Sequence, residues 1–116
     1  MILSVREMPP YKVIDVGEPT RKYEDITAIK EKVEEMLDAG VNHMGINLTN
    51  VDYMHSFFIK ILTATYKKLK TRNGELVIIG PNDFVLNLMR VLNLDDYIRI
   101  FASETAFKEA LEKPQP

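Results

Sequence analysis

The sequence predicts an α/β fold with a mostly parallel, mixed β-sheet, an N-terminal antiparallel hairpin and about four covering helices. Segments rich in β-branched and apolar residues alternate with segments of helical periodicity along most of the chain. Pro9 and Pro10 separate two strand-like segments near the N-terminus, which indicates a hairpin. The run Leu76–Ile79 is almost continuously apolar, as expected for a central strand buried on both faces.

The N-terminal part of the chain is expected to form the hairpin and the first helix. The two strands are predicted at Ile2–Glu7 and Tyr11–Val16, and the polar segment Gly17–Glu24 is predicted to be a loop. Asp25 is a good N-cap residue, and Gly40 can supply the left-handed conformation that ends a helix. The apolar positions between them recur at helical spacing: Ile26, Ile29, Val33 and Leu37.

The middle of the chain is predicted to form a short strand and a second helix. The strand covers Met44–Leu48, and the helix starts at Ser56 and ends before Asn73-Gly74. The apolar stripe of this helix is predicted from four residues: Ile59, Leu62, Tyr66 and Leu69.

The C-terminal part of the chain supplies the last strands and helices. After the strand Leu76–Ile79, the turn Gly80-Pro81-Asn82 should lead into a third helix that Asn93 ends. A last strand is predicted at Tyr97–Phe101, followed by a short helix capped by Ser103. We therefore expect the order ββαβαβαβα in a single domain over 1–116, with a frayed tail at 113–116.

The composition excludes several classes of function. The chain has 116 residues, 46% of them hydrophobic, and a formal net charge of −2, so there is no general positive field for nucleic acid or an anionic membrane. It has no cysteine, which removes disulfides and thiolate metal sites. Neither a signal peptide nor a membrane-spanning segment is recognisable. We expect a soluble, cytoplasmic protein.

The usual catalytic and cofactor motifs are missing from the sequence. No glycine-rich phosphate loop follows a strand, and neither of the two histidines has the spacing of a metal site, so no cofactor or metal is expected. His55 and Ser56 are adjacent, and Asp52 lies nearby. A small-ligand binder or hydrolase that uses these three residues therefore remains an alternative to a protein without enzymatic activity.

The most informative segment is INLTNVDYMHSFFIK, which spans Ile46 to Lys60. A buried strand runs into a loop and returns as a helix, and partners commonly meet open α/β sheets at such strand ends. Ser56 is expected to be the N-cap of the helix, with its hydroxyl directed at the free backbone N–H groups of the first turn.

The order and spacing of three segments resemble the STAS domain, and above all the anti-sigma factor antagonists of bacteria. These segments are NLTNVDYMHS, then NGELVIIGP, then VLNLD. The family typically has a strand, a segment like VDFMDSSGLG, a helix, a glycine-containing turn into a central strand, and a helix ending near LxxxGL. The resemblance covers about Asp25 to Leu111 and implies the fold predicted above.

The resemblance implies a protein-binding regulator of transcription rather than an enzyme. In the family, a serine aligned with Ser56 is phosphorylated by a GHKL-type serine kinase that is also the anti-sigma factor, and only the unphosphorylated form binds this partner. Ser56 is thus the expected phosphoacceptor. The residues expected to contact the partner are Asp52, Met54, His55, Phe57, Lys60 and Asn82.

Four residues depart from the family pattern next to Ser56. His55 replaces an aspartate, Phe57 a serine, and Phe58 and Lys60 replace glycines. We expect Phe58 to enter the core and Phe57 to be exposed. A second hypothesis follows, in which a STAS scaffold without the phosphorylation switch binds a partner, or itself as a homodimer, through Phe57 and Phe58.

Overall fold

The structure is a computed structural model that describes residues 3–17 and 22–113. Within these residues the predicted order of strands and helices is confirmed, with one added 3₁₀ turn. The elements are β1 (Leu3–Met8), β2 (Tyr11–Val16), α1 (Tyr23–Asp38), β3 (His43–Asn47), α2 (Ser56–Thr71), β4 (Glu75–Ile79), α3 (Asp83–Val91), the 3₁₀ helix (Leu94–Asp96), β5 (Arg99–Phe101) and α4 (Glu104–Glu112).

The strands form one mixed sheet in the order β1-β2-β3-β4-β5. β1 pairs with β2 in antiparallel register, with Met8 opposite Tyr11, and the turn between them is Pro9-Pro10, joined by a cis peptide bond. The other three pairs are parallel. The predicted hairpin at the start of a mostly parallel sheet is therefore confirmed, and the ends of β2, β3, β4 and β5 meet at one edge.

The two faces of the sheet carry separate cores. On one face, side chains such as Ile14, Ile46 and Ile78 pack beneath α1, α2 and α3. On the other face, Val13 and Val77 pack with Phe107 of α4. Because strand residues alternate between faces, consecutive apolar residues in a central strand fill both cores.

Two residues predicted to end helices adopt the expected left-handed backbone. Gly40 has a φ of 89° and Asn93 a φ of 60°. A short polar side chain can stabilise this region locally, which is why Asn can replace Gly there.

Three local predictions were wrong. Asp25 is not the N-cap of α1, because the helix begins at Tyr23 after Lys22; its carboxylate instead accepts from the Lys22 backbone N–H at 3.4 Å, since an acidic residue at this position can reach back to the cap. The last strand begins at Arg99 rather than Tyr97, because the 3₁₀ turn occupies part of that segment. The buried face of α2 is also rotated from the predicted stripe and consists of Phe58, Ile61, Leu62, Thr65 and Leu69.

Parts of three predictions lie outside the described residues. These are the strand start at residue 2, residues 18–21 of the predicted loop, and the tail at 114–116. In the described part of the chain, no helix is both long and apolar enough to cross a membrane.

Candidate functional site

The segment between β3 and α2 is fixed to the core by three apolar anchors. Leu48, Val51 and Met54 are at most 5% exposed. The Leu48 N–H donates to the Ile79 carbonyl at 2.8 Å, and the Val51 N–H closes a turn on the Leu48 carbonyl at 2.9 Å. We call residues 48–55 the β3–α2 loop. Its polar residues are turned outward because these anchors occupy the inside.

Helix α2 begins at Ser56, and its N-cap is His55. The His55 backbone is extended, and its Nδ1 accepts from the Phe57 N–H at 3.0 Å. This bond requires that Nδ1 carry no proton. The prediction that Ser56 caps the helix is therefore wrong, because the imidazole one residue earlier satisfies the amide. Ser56 is exposed, and its hydroxyl makes no side-chain hydrogen bond within the described residues.

A second loop contacts the β3–α2 loop. Asn82 is the N-cap of α3, where its Oδ1 accepts from the Val85 N–H at 2.8 Å, and its Nδ2 donates to the Val51 carbonyl at 3.3 Å. Gly80, with a φ of 68°, lies against the Thr49 side chain with no space for a Cβ between them. The loop of residues 80–82, which we call the β4–α3 loop, therefore supports the segment that leads to α2.

A polar network fixes the end of β3 from the α4 side of the sheet. Asn47 Nδ2 donates to Asp15 Oδ1 at 2.8 Å, while Asn47 Oδ1 accepts from the Thr49 hydroxyl at 2.6 Å and from its backbone N–H at 3.1 Å. Arg6 Nη2 donates to Asp15 at 2.9 Å and also binds Glu104. The network connects β1, β2, β3 and α4 to the first residues of the β3–α2 loop.

The charges in this network shift the pKa values of its acids. Burial raises the pKa of Asp15, but the hydrogen bonds from Arg6 and Asn47 outweigh burial, so its pKa lies below the usual range. The bond from Arg6 likewise lowers the pKa of Glu104. Both carboxylates are therefore stabilised in the ionised form, in which they accept hydrogen bonds.

Comparison with known families identifies this arrangement. The sequence model of the STAS domain matches residues 23–106, which include both loops and the start of α2. The chain belongs to the STAS domain family. The resemblance found in the sequence is thus confirmed.

Relatives and solved structures agree with this assignment. A candidate anti-sigma factor antagonist of Thermotoga maritima is 26% identical to this STAS domain over 112 residues, covering 91% of this chain and 96% of the relative. The anti-sigma-B factor antagonist of Listeria monocytogenes is 34% identical over 73 residues, or 60% of this chain and 64% of the relative.

Two of the solved structures show the same fold at low sequence identity. The crystal structure of a candidate antagonist of T. maritima gives a TM-score of 0.81 at 18% identity, covering 96% of this chain and 95% of that one. SpoIIAA in its unphosphorylated form gives 0.75 at 14% identity, covering 97% and 100%. The mixed five-stranded sheet of this chain, with its N-terminal antiparallel hairpin, therefore has the STAS fold.

The residues predicted as partner contacts differ in location and exposure in this STAS domain. Asp52 and Asn82 are exposed on the two joined loops, and His55 is half-buried as the cap of α2. Met54 is 5% exposed, so the prediction that it meets a partner is wrong: its side chain anchors the loop in the core. Lys60 is exposed but lines a groove between α1 and α2, together with Phe57.

The two phenylalanines do not form an exposed pair. Phe58 is fully buried, as predicted, so a docking surface made of Phe57 and Phe58 together is wrong. Phe57 is half-buried and packs against the core, because α2 turns its first-turn apolar side chains toward α1. The exposed aromatic residues of the site are instead Tyr53, at 45% exposure, and Phe84, at 59%.

The sequence interpretation had no role for Tyr53, Asp15, Asn47 or Thr49. A signal for Asp15 and Asn47 exists in the sequence, since each is a polar residue near the end of an apolar strand. Their pairing depends on the parallel register that places Asp15 beside Asn47. In the described residues there is no cluster of three or more His, Asp or Glu that could hold a metal ion.

Proposed function

We propose that this STAS domain is an anti-sigma factor antagonist that binds an anti-sigma factor, and that phosphorylation of Ser56 controls the binding. The observation that carries the proposal is the placement of Ser56. It is the first residue of α2, it is exposed, and its hydroxyl is not used for capping because His55 has that role. A kinase could therefore modify it without breaking a bond that the fold needs.

The electrostatics of this position favour a phosphate. The N-terminus of a helix has free backbone N–H groups and the positive end of the helix dipole, worth about 0.3–1 kcal/mol for an exposed anion. A phosphate adds about −1.5 to −2 charges at neutral pH. Such a charge can repel a partner from the surface while the fold stays unchanged. SpoIIAA, a structural neighbour, has been solved in both unphosphorylated and phosphorylated forms.

The surface around Ser56 has the chemistry of a protein contact. Tyr53 and Phe84 are exposed aromatic residues. Tyr53 lies in the β3–α2 loop and Phe84 in the first turn of α3, whose N-cap Asn82 donates to the Val51 carbonyl. Exposed aromatic side chains on a rigid rim commonly supply the central contacts of an interface. We propose that Asp52, Tyr53, Asn82 and Phe84 meet the partner, with Ser56 among them.

The proposed mode of action is binding alone, without catalysis. His55 Nδ1 accepts the Phe57 N–H at 3.0 Å and so is not directed at the Ser56 hydroxyl as a general base would be. The partner is an anti-sigma factor that is also a GHKL-type serine kinase. The location that fits this role is the cytoplasm, where transcription takes place.

The test uses the full chain with anti-sigma factors of the GHKL type from the same cell. We expect one of them to bind the unmodified protein, to modify Ser56 with ATP as mapped by mass spectrometry, and to lose at least about tenfold in affinity afterwards, or 1.4 kcal/mol. Ser56→Ala should bind and resist modification, and Ser56→Asp should bind weakly. Ser103 is a matched control for the site of phosphorylation. It also lies at a helix start, but its Oγ accepts the Ala106 N–H at 3.1 Å, so we expect it to stay unmodified.

Two outcomes would count against the proposal in different ways. If no such anti-sigma factor binds the unmodified protein, the antagonist role is wrong. If one binds, but it binds the Ser56→Asp variant and the phosphorylated protein as tightly as the unmodified protein, the partner is right and the switch is wrong. Modification of Ser103 instead of Ser56 would also remove the switch.

A further inference from the structure

A groove of about 340 Å³ lies between α1 and α2, on the outside of the core that these helices cover. Its floor is apolar on both sides, with Val33 and Leu37 from α1, and Phe57, Ile61 and Ala64 from α2. We call it the α1–α2 groove. Its size is at the lower end of the range for small-molecule sites, about 300–1,000 Å³.

The rim of the α1–α2 groove is positively charged. Three lysines line it, Lys30, Lys60 and Lys68, against a single acid, Glu34. Lys30 pairs with Glu34 at 3.4 Å, one helical turn apart. In the described part of the chain, Lys60 and Lys68 have no carboxylate within 4.0 Å. The rim therefore has an excess of positive charge on a chain whose formal net charge is −2.

We propose that the α1–α2 groove binds a medium-chain fatty acid, with the alkyl chain on the floor and the carboxylate at Lys60 or Lys68. These two lysines are eight residues apart on one helix, which corresponds to about 12 Å at 1.5 Å per residue. An apolar floor with a cationic end complements a molecule that has a single negative charge on an apolar chain.

The shape of the groove favours this ligand over a protein partner. A specific protein interface generally buries more than about 1,000 Å² of surface. The α1–α2 groove is a short cleft between two helices and is suited to one flexible chain. A ligand in it would contact Phe57, whose backbone N–H makes the cap bond with His55 beside Ser56. The binding of the fatty acid does not depend on the proposed antagonist role.

The test is a titration of the full chain with decanoate below its micelle-forming concentration, followed by ¹H–¹⁵N NMR. We expect saturable one-to-one binding, with chemical-shift changes concentrated in residues 30–37 and 57–68. Decyltrimethylammonium has the same alkyl chain with the opposite charge and should bind at least about tenfold more weakly. A cation that binds as well as decanoate, or decanoate shifts centred elsewhere, would overturn the proposal.

Matched pairs of lysines test the charge of the rim. The double variant Lys60→Ala/Lys68→Ala should lower decanoate affinity about fivefold, as expected for the loss of one exposed ion pair, whichever of the two lysines forms it. Lys67→Ala/Lys70→Ala removes the same charge from exposed positions of α2 outside the groove and should leave the affinity unchanged. Equal affinities in the two double variants would refute the role of the rim.

Filling the groove tests its floor. Ala64 is exposed and lines the α1–α2 groove, so Ala64→Phe adds volume there without replacing a core residue. We expect this variant to have the same Tm as the wild type and to show no saturable decanoate binding. Wild-type affinity in a folded Ala64→Phe protein would show that the ligand binds elsewhere and would overturn the proposal.

Discussion

Replacing Gly80 by alanine should destabilise this STAS domain for two separable reasons. Gly80 has a φ of 68°, a conformation that costs a residue with a Cβ about 1–2 kcal/mol. A Cβ at Gly80 would also overlap the Thr49 hydroxyl. To make room, Thr49 would have to give up its 2.6 Å hydrogen bond to Asn47, at a cost of about 1 kcal/mol.

The expected loss is therefore about 2–3 kcal/mol of unfolding free energy, or a fall in Tm of about 10 °C for a chain of this size. Gly40→Ala is the matched control, because Gly40 has a φ of 89° but nothing within 4 Å of a built Cβ. This variant should show only the backbone part of the cost. Urea unfolding followed by circular dichroism measures both.

A double-mutant cycle isolates the contact with Thr49. In a Thr49→Ala background the overlap is gone, and Gly80→Ala should cost only about as much as Gly40→Ala, giving a coupling of about 1 kcal/mol. The reasoning is refuted if Gly80→Ala costs no more than Gly40→Ala in the wild-type background, or if the coupling is zero. The β4–α3 loop would then not support the β3–α2 loop.

Three further predictions concern the network, the helix cap and the core. Asp15→Asn should reduce the acid sensitivity of folding: because the folded-state pKa of Asp15 is lowered, its stabilisation is present above the unfolded value of about 3.9 and is lost as the pH falls through the folded value. Urea unfolding at several pH values measures the free energy of unfolding as a function of pH. If its slope below about pH 4 is the same in Asp15→Asn as in the wild type, the prediction is wrong. His55→Ala should lower the free energy of unfolding by about 1 kcal/mol through loss of the helix cap, and Ser56→Ala by less than about 0.5 kcal/mol, as measured by thermal unfolding. A larger loss for Ser56→Ala than for His55→Ala would show that Ser56 is the cap. Phe58→Ala should cost about 3–5 kcal/mol in urea unfolding and Phe57→Ala about 1–2, because only Phe58 is fully buried; equal losses would contradict this packing.

The predictions that succeeded from sequence rest on local physics. The hairpin followed from Pro9-Pro10. The ends of α1 and α3 followed from Gly40, which has no Cβ, and Asn93, whose short polar side chain tolerates a left-handed backbone. Ser103 caps α4 as predicted, with its hydroxyl accepting the Ala106 N–H at 3.1 Å. In each case the cause lies within a few residues of the effect.

The predictions that failed required knowledge of which residue competes for a given contact. Either His55 or Ser56 could have capped α2, and the sequence favoured the serine because serine is the commoner cap. Phe57 was expected at the surface because it does not fit the predicted stripe of α2, and Met54 was expected to contact a partner because it lies in the segment that resembles the family motif. The actual buried face is set by α1 and the sheet, against which both side chains pack.

The sequence by itself determined the order of strands and helices, the mostly parallel sheet, and the position of Ser56 at the start of a helix. Periodicity and backbone preference are encoded residue by residue, so they can be read without the partners in space. Only the tertiary structure decided that Asp15, Asn47 and Thr49 form one network, that Thr49 meets Gly80, and that α1 and α2 enclose a groove. The Asp15–Asn47 hydrogen bond joins residues 32 positions apart, because parallel strand register rather than local propensity brings them together. The Thr49–Gly80 contact and the groove likewise depend on how separate loops and helices pack.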